Sequence, residues 1–142
     1  MATNWGDALI VALRAVLVTV SGLPATRAWQ NTSVTPGATT PHVADRFVAF
    51  DSNDRECGPT AWQRTVATYR VDVRQPIGID AFDAMSLAAA ISDAFKTACG
   101  AASLKVSGTY PVEMLASRIG PAQDLDAWLV VPVSLTLTFD HP

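Results

Sequence analysis

A chain of 142 residues, 49 % of them hydrophobic, can build one domain with a substantial core and is too short for two comfortable ones. The charged fraction of 16 % is low for a free-standing monomer and leaves weakly polar surface that contacts between subunits could cover. The formal net charge of −3 comes from 10 basic and 13 acidic residues, with no Lys/Arg run able to neutralise a row of phosphates, so a DNA-binding groove is not expected.

Residues Trp5 to Ser21 place Trp5, Ala8, Leu9, Ala12, Leu13, Val16, Leu17 and Val20 at helical spacing, which predicts an amphipathic helix with Asn4 as its N-cap and Gly22 as its stop. Ile10, Val11 and Val18 widen the apolar stripe, so this helix is expected to be covered on more than one side. The apolar stretch Ala8 to Val20 is expected to be neither a signal peptide nor a membrane span: Arg14 interrupts it, it is shorter than the ~20 residues a bilayer needs, and no basic segment precedes it. Thr, Pro, Gly and Asn dominate from Ala25 to His42, predicting one short strand around Arg27 to Asn31 and then a loop. Val43 to Phe50 reads as a strand and Asp51 to Pro59 as a polar loop.

From Ala61 to Arg74 the alternation is clean. Ala67, Tyr69, Val71 and Val73 fall on one face, and Thr68, Arg70, Asp72 and Arg74 on a face expected to be wet. Asp80 begins a second helix reaching about Cys99, with Ala84, Leu87, Ala88, Ile91, Phe95 and Ala98 as its buried face and Gly100 as the residue that ends it. Ser103 to Ser107 and Val112 to Ile119 are short strand candidates. The last segment, Ala127 to Phe139, alternates with Leu129, Val131, Val133, Leu135, Leu137 and Phe139 inward, and Pro132 demands an edge or a bulge there. Helix, strands, helix, strands in that order predicts a single α+β domain, residues 1–142, with a mostly antiparallel sheet and both helices packed on it.

The search for chemistry is negative. His42 reads as a solvent-facing loop residue, and His141 lies where chain ends are commonly poorly ordered. Asp51, Asp54 and Glu56, with Cys57 and a folded-back His42, could form a metal site, but their spacing matches no ligand motif and a solvated loop explains them more simply. Cys57 and Cys99 read as free thiols. Gly58, Gly78 and Gly108 stand singly as turn glycines without a nucleotide-binding pattern, and no metal or cofactor is expected. Trp29, Trp62 and Trp128 each fit core or edge packing, yet three tryptophans near element ends point to an interface anchor among them.

The ordered signals resemble the tail terminator family of long-tailed bacteriophages. They are an N-terminal amphipathic helix, then Trp29-Gln30-Asn31 with Thr35-Pro36, then Tyr69 to Gly78 (YRVDVRQPIG) leading into a helix that carries Phe95, and finally Trp128 with Val131-Pro132-Val133. The resemblance implies a non-enzymatic, ring-forming virion subunit: a homohexamer at the head-proximal end of the tail tube that stops tube polymerisation and receives the neck proteins of the head. Its implied partners are the major tail tube protein and the head–tail connector, with DNA passing through the lumen without specific binding and no membrane involved. A head-completion or neck connector protein is the nearest alternative, followed by a small ligand- or metal-binding domain.

Geometry agrees with a ring. A compact domain of this length approximates a sphere of roughly 37 Å; about six in contact leave a central hole about one sphere wide and about four only ~0.4 of that, while about five would also pass a duplex, so the number six comes from the resemblance. Six copies at −3 sum to about −18, and an acidic wall would repel phosphates during DNA passage. The loops from Thr32 to His42 and from Asp51 to Pro59 are expected to project toward neighbours, which makes Trp29, Asp51, Asp54, Glu56, Trp62 and Trp128 the candidate interface residues.

Overall fold

The computed structural model describes residues 4–30, 37, 40–54, 62–78 and 81–142, with backbone only at 49, 52–54, 81 and 82. Helix α1 (Trp5–Leu17) begins where the sequence places it: Asn4 is extended, and its side-chain oxygen accepts the Asp7 N–H at 3.2 Å. It ends at Leu17 rather than Ser21. There Thr19 N–H turns to the Val16 carbonyl and Val20 N–H to the Leu17 carbonyl, bonds that tighten the last turn and stop the α-helical ladder. Leu9, Leu13 and Leu17, four residues apart, are fully buried, whereas Val11 is 68 % exposed.

Six strands form one sheet in the order β1 (Thr26–Ala28), β2 (His42–Asp54), β3 (Gln63–Pro76), β8 (Trp128–His141), β6 (Glu113–Ile119), with β7 (Gln123–Leu125) also on β8. Every pairing in it is antiparallel except the short β1–β2 edge. The central β3–β8 ladder runs from Gln63 opposite His141 to Pro76 opposite Trp128. Helix α2 (Ala81–Gly100) and α1 lie on one face of the sheet; a separate hairpin, β4 (Lys105–Val106) with β5 (Tyr110–Pro111), follows α2. The α+β class is therefore as expected.

The core lies between helices and sheet. Ala67, Tyr69, Val71 and Val73 of β3 and Val131, Val133, Leu135, Leu137 and Phe139 of β8 meet Leu9, Leu13 and Leu17 of α1 and Ala84, Ala88, Ile91 and Phe95 of α2. Burying each large aliphatic or aromatic side chain here is worth about 1.5–3 kcal/mol. The left-handed residue after α2 is Ala102, at φ 52°, rather than Gly100, and the turn is closed by Ser103 N–H on the Ala98 carbonyl at 3.0 Å.

Pro132 resolves the constraint it imposes by sitting at a seam. On one side it stands opposite Asp72; on the other, β6 ends at Ile119 and β7 starts at Gln123. The Pro132 carbonyl accepts Gly120 N–H at 2.9 Å, so the missing proline N–H also points to the gap between β6 and β7, where no ladder bond is lost. Gly120 is required for this approach, because a Cβ there would come within 2.7 Å of Pro132 Cγ. Gly120→Ala should cost about 1–3 kcal/mol in urea unfolding. Most of that loss should return when Pro132→Ala is added.

Candidate assembly surfaces

A buried polar cluster fixes α1 to the sheet. Asp45 of β2 turns into the core, where its carboxylate accepts Arg14 Nε at 2.8 Å, Arg14 Nη2 at 3.0 Å, the Gln30 backbone N–H at 2.9 Å and the Tyr69 hydroxyl at 2.5 Å. Gln30 adds a second link, its side-chain oxygen accepting Phe47 N–H at 2.8 Å. Trp29 closes the cluster, with the Arg14 guanidinium 5.0 Å from its ring centre. Burial, and then the Asp45 charge, push the Tyr69 phenol well above its ordinary pKa, so it stays a donor throughout the physiological range.

The three candidate tryptophans do not form one patch. Trp29 belongs to the Arg14 cluster and is partly buried. Trp62, 42 % exposed, lies edge-on to Tyr110 at 5.9 Å, beside the end of the ladder where Gln63 meets His141. Trp128 stands at the opposite end of that ladder, roughly 40 Å away, edge-on to His42 at 4.8 Å. Asp51 is exposed in β2 opposite Val66, and Asp54 is the last residue of β2. Glu56, Cys57 and Gly58, most of the Thr32 to His42 loop and the Asp80 helix start lie outside the described residues.

Both histidines differ from the sequence expectation. His42 is not a solvent-facing loop residue: it opens β2, is 3 % exposed, and its Nδ1 lies 3.1 Å from the Thr40 carbonyl. Pairing with Arg74 of β3 draws it into the sheet, and the Trp128 ring covers it. It stands roughly 30 Å along β2 from Asp51, so these two cannot share a metal ion. Among the described residues no group of three or more His, Cys, Asp or Glu could hold a metal ion. His141 is ordered and fully buried in β8, with Nε2 2.7 Å from Thr65 Oγ1 and Trp5 stacked at 4.3 Å. Cys99 is a free, half-buried thiol whose pKa burial raises.

Burial disfavours the imidazolium of His42 and lowers its pKa below 6.5. The unfolded chain then takes up the proton first as pH falls, so this contribution to stability is present above pH 6.5 and is lost as pH drops through the lower folded value. The urea midpoint should fall between about pH 7 and pH 5, and should fall less in His42→Gln.

Two exposed apolar patches flank the fold. Val11 and Val18 are exposed on α1 and just after it, and an open groove of about 800 Å³ between α1 and α2 is walled by Ala12, Ala15, Ala90 and Ala94. Leu115, Ile119 and Leu125 line the β6–β7 edge on the other side of the sheet order. No helix of the described residues is long and apolar enough to cross a membrane.

A family model described as Phage tail terminator protein matches residues 7–136. No curated protein matches the chain. Among the similar solved structures, one shares 22 % identity with a TM-score of 0.59 over 96 % of this chain and 96 % of its own, a likeness of fold.

Proposed function

From the premise that this chain belongs to the phage tail terminator family, a family of structural virion proteins, we propose that it forms a ring of about six copies on the head-proximal end of the tail tube. The ring stops tube polymerisation and presents the surface on which the head's neck proteins dock. DNA crosses its lumen without base-specific recognition. The observation that carries this reading is the family match from residue 7 to 136, nearly the whole folded chain.

The surface supports it physically. The α1 surface with its groove against α2 and the β6–β7 edge with Leu115, Ile119 and Leu125 are two different patches on one subunit. A contact joining one patch to the other in the next copy is head-to-tail, and such contacts close into rings when the rotation per subunit allows. Trp62 and Trp128, at opposite ends of the central ladder, are suited to contacts above and below the ring, with Asp51 and Asp54 toward the Trp62 end.

The test is to mix purified protein with tail tubes and measure particle mass by light scattering and tube ends by electron microscopy. A ring of about six copies on one end is the expected result. Protein that ignores tubes and binds portal complexes would replace this reading with the neck connector.

A further inference from the structure

The sheet face opposite the helices carries a feature that net charge conceals. Asp45 and Tyr69 point into the core, and Ser117 reaches α2 through Ser92 at 2.6 Å. Their chain neighbours Arg46, Arg70 and Arg118 therefore point the other way. The strand register sets these three in one row: Arg46 opposite Arg70, Arg70 opposite Ser134, and Ser134 opposite Arg118. At the usual strand spacing the row spans about 14 Å, and Arg74 stands about 13 Å from Arg70 along β3 on the same face.

The charge is only partly compensated. Asp72 lies between Arg70 and Arg74, at 2.6 Å from Arg70 Nε and 3.6 Å from Arg74 Nη2, and is itself buried. Four arginines against that one aspartate leave about +3 on the row and Arg74, with exposed Asp51 and Glu113 on the same face about 13 Å from it toward the other end of the sheet. Among the described residues no acid is ion-paired with Arg46 or Arg118. Like charges directly opposite one another, as Arg46 and Arg70 are, cost a sheet stability. Arg74 Nε is buried without a hydrogen-bond partner.

The rest of the row's surroundings select the ligand. Ala44, Thr68, Ser134, Thr136 and Ala116 are small or hydroxylated, Val48 at the β2 bulge is the exposed aliphatic beside Arg46, and the aromatic pair His42 and Trp128 sits at the far end of the sheet. A protein-docking surface commonly sets its arginines beside an aromatic anchor, and none stands in this row. Guanidinium groups spaced over a flat, hydroxyl-bearing surface instead suit phosphate oxygens, which they bind by paired N–H donors without reading bases. We propose that this arginine row binds the phosphate backbone of duplex DNA and that, in the ring proposed above, it faces the channel. The second clause rests on the ring reading; the first does not. The wall would then hold DNA loosely rather than repel it.

The experiment is fluorescence anisotropy of a labelled duplex of about 24 base pairs against the purified full chain across a salt series. Three phosphate contacts per subunit give a log–log slope near −2.7, so affinity should fall roughly forty-fold between about 50 and 200 mM salt. Arg46→Ser combined with Arg118→Ser should lower affinity at least tenfold at the low-salt end and bring the slope to about −1. Arg64→Ser, at an exposed arginine paired with Asp140 away from the row, should change neither. Arg46→Gln alone, at an exposed site, should give an intermediate slope. Circular dichroism of each variant checks that the fold is kept. No duplex binding by the parent chain, a slope unaltered in the double variant, or equal binding of a polyglutamate peptide of matched charge would overturn the proposal, the last by assigning the face to an acidic protein.

Tube capping separates the two readings. The Arg46→Ser/Arg118→Ser chain should still cap tubes. A parent chain that caps tubes but ignores duplex would remove the phosphate face and leave the terminator function standing. A chain that binds duplex through these arginines but ignores tubes would do the reverse.

Discussion

Asp45→Ala should be the most damaging single exchange in the chain, costing about 3–5 kcal/mol and lowering Tm by roughly 10–20 °C. The Asp45 side chain is wholly buried, and its carboxylate gathers four donors from α1, β3 and the segment before β2. Alanine leaves the Tyr69 hydroxyl buried without a partner and the Arg14 guanidinium, only 24 % exposed, facing a void. Removing one member of such a cluster is costlier than removing all of them, because the orphaned groups keep their desolvation penalty. The triple exchange Arg14→Met, Asp45→Leu, Tyr69→Phe should therefore recover much of the loss. Thermal melts of the single and triple variants decide the matter; a single variant that melts within a few degrees of the parent would mean that packing alone seats α1.

Phe95→Ala should cost a comparable 3–5 kcal/mol through the cavity it leaves. Phe95 is fully buried on α2 and meets the Tyr69 ring edge-on at 6.2 Å, so it supports from above the phenol that Asp45 holds from the side. Because both exchanges loosen the same tyrosine, their effects should not add. The Asp45→Ala/Phe95→Ala chain should be more stable than the sum predicts by about 0.5–3 kcal/mol, measurable in a urea double-mutant cycle. Strict additivity would show that Tyr69 does not couple the helix layer to the sheet.

The sequence is legible where periodicity carries the signal. The alternation of Ala67, Tyr69, Val71 and Val73 and that of Val131 to Phe139 mark the inner faces of β3 and β8, and the spacing of Ala84, Ala88, Ile91 and Phe95 marks the inner face of α2. It fails where tertiary pairing overrides local character. Asp51-Ser52-Asn53-Asp54 reads as loop, yet the ladder with Thr65, Arg64 and Gln63 extends β2 through it. Gln123-Asp124-Leu125 has no strand pattern of its own and becomes β7 only because β8 offers a free edge beyond Pro132.

Asp72, expected on a wet face, is buried by the arginines on either side. The sequence search for a basic run missed the arginine row because its members come from β2, β3 and β6. Only the register brings them together. The one available signal was the outward position of Arg70 and Arg74 in the alternation of β3. The burial of His42 and His141 was hidden for the same reason: a pairing partner distant in sequence, Arg74 for one and Gln63 for the other, draws each into the sheet.

β8 is flanked by β3 along one side and by β6 and β7 along the other, although it is the last strand in chain order. During synthesis, then, β2 and β3 can pair as soon as both have emerged, but one whole edge of β3 must wait for more than fifty further residues, Ile77 to Ala127, before its partner exists. The nascent chain carries an unpaired, apolar strand edge through that interval, the kind of edge that recruits other chains. The sheet therefore closes in a late step dominated by contacts between distant residues, and folding of this subunit should be slow for its size and sensitive to concentration.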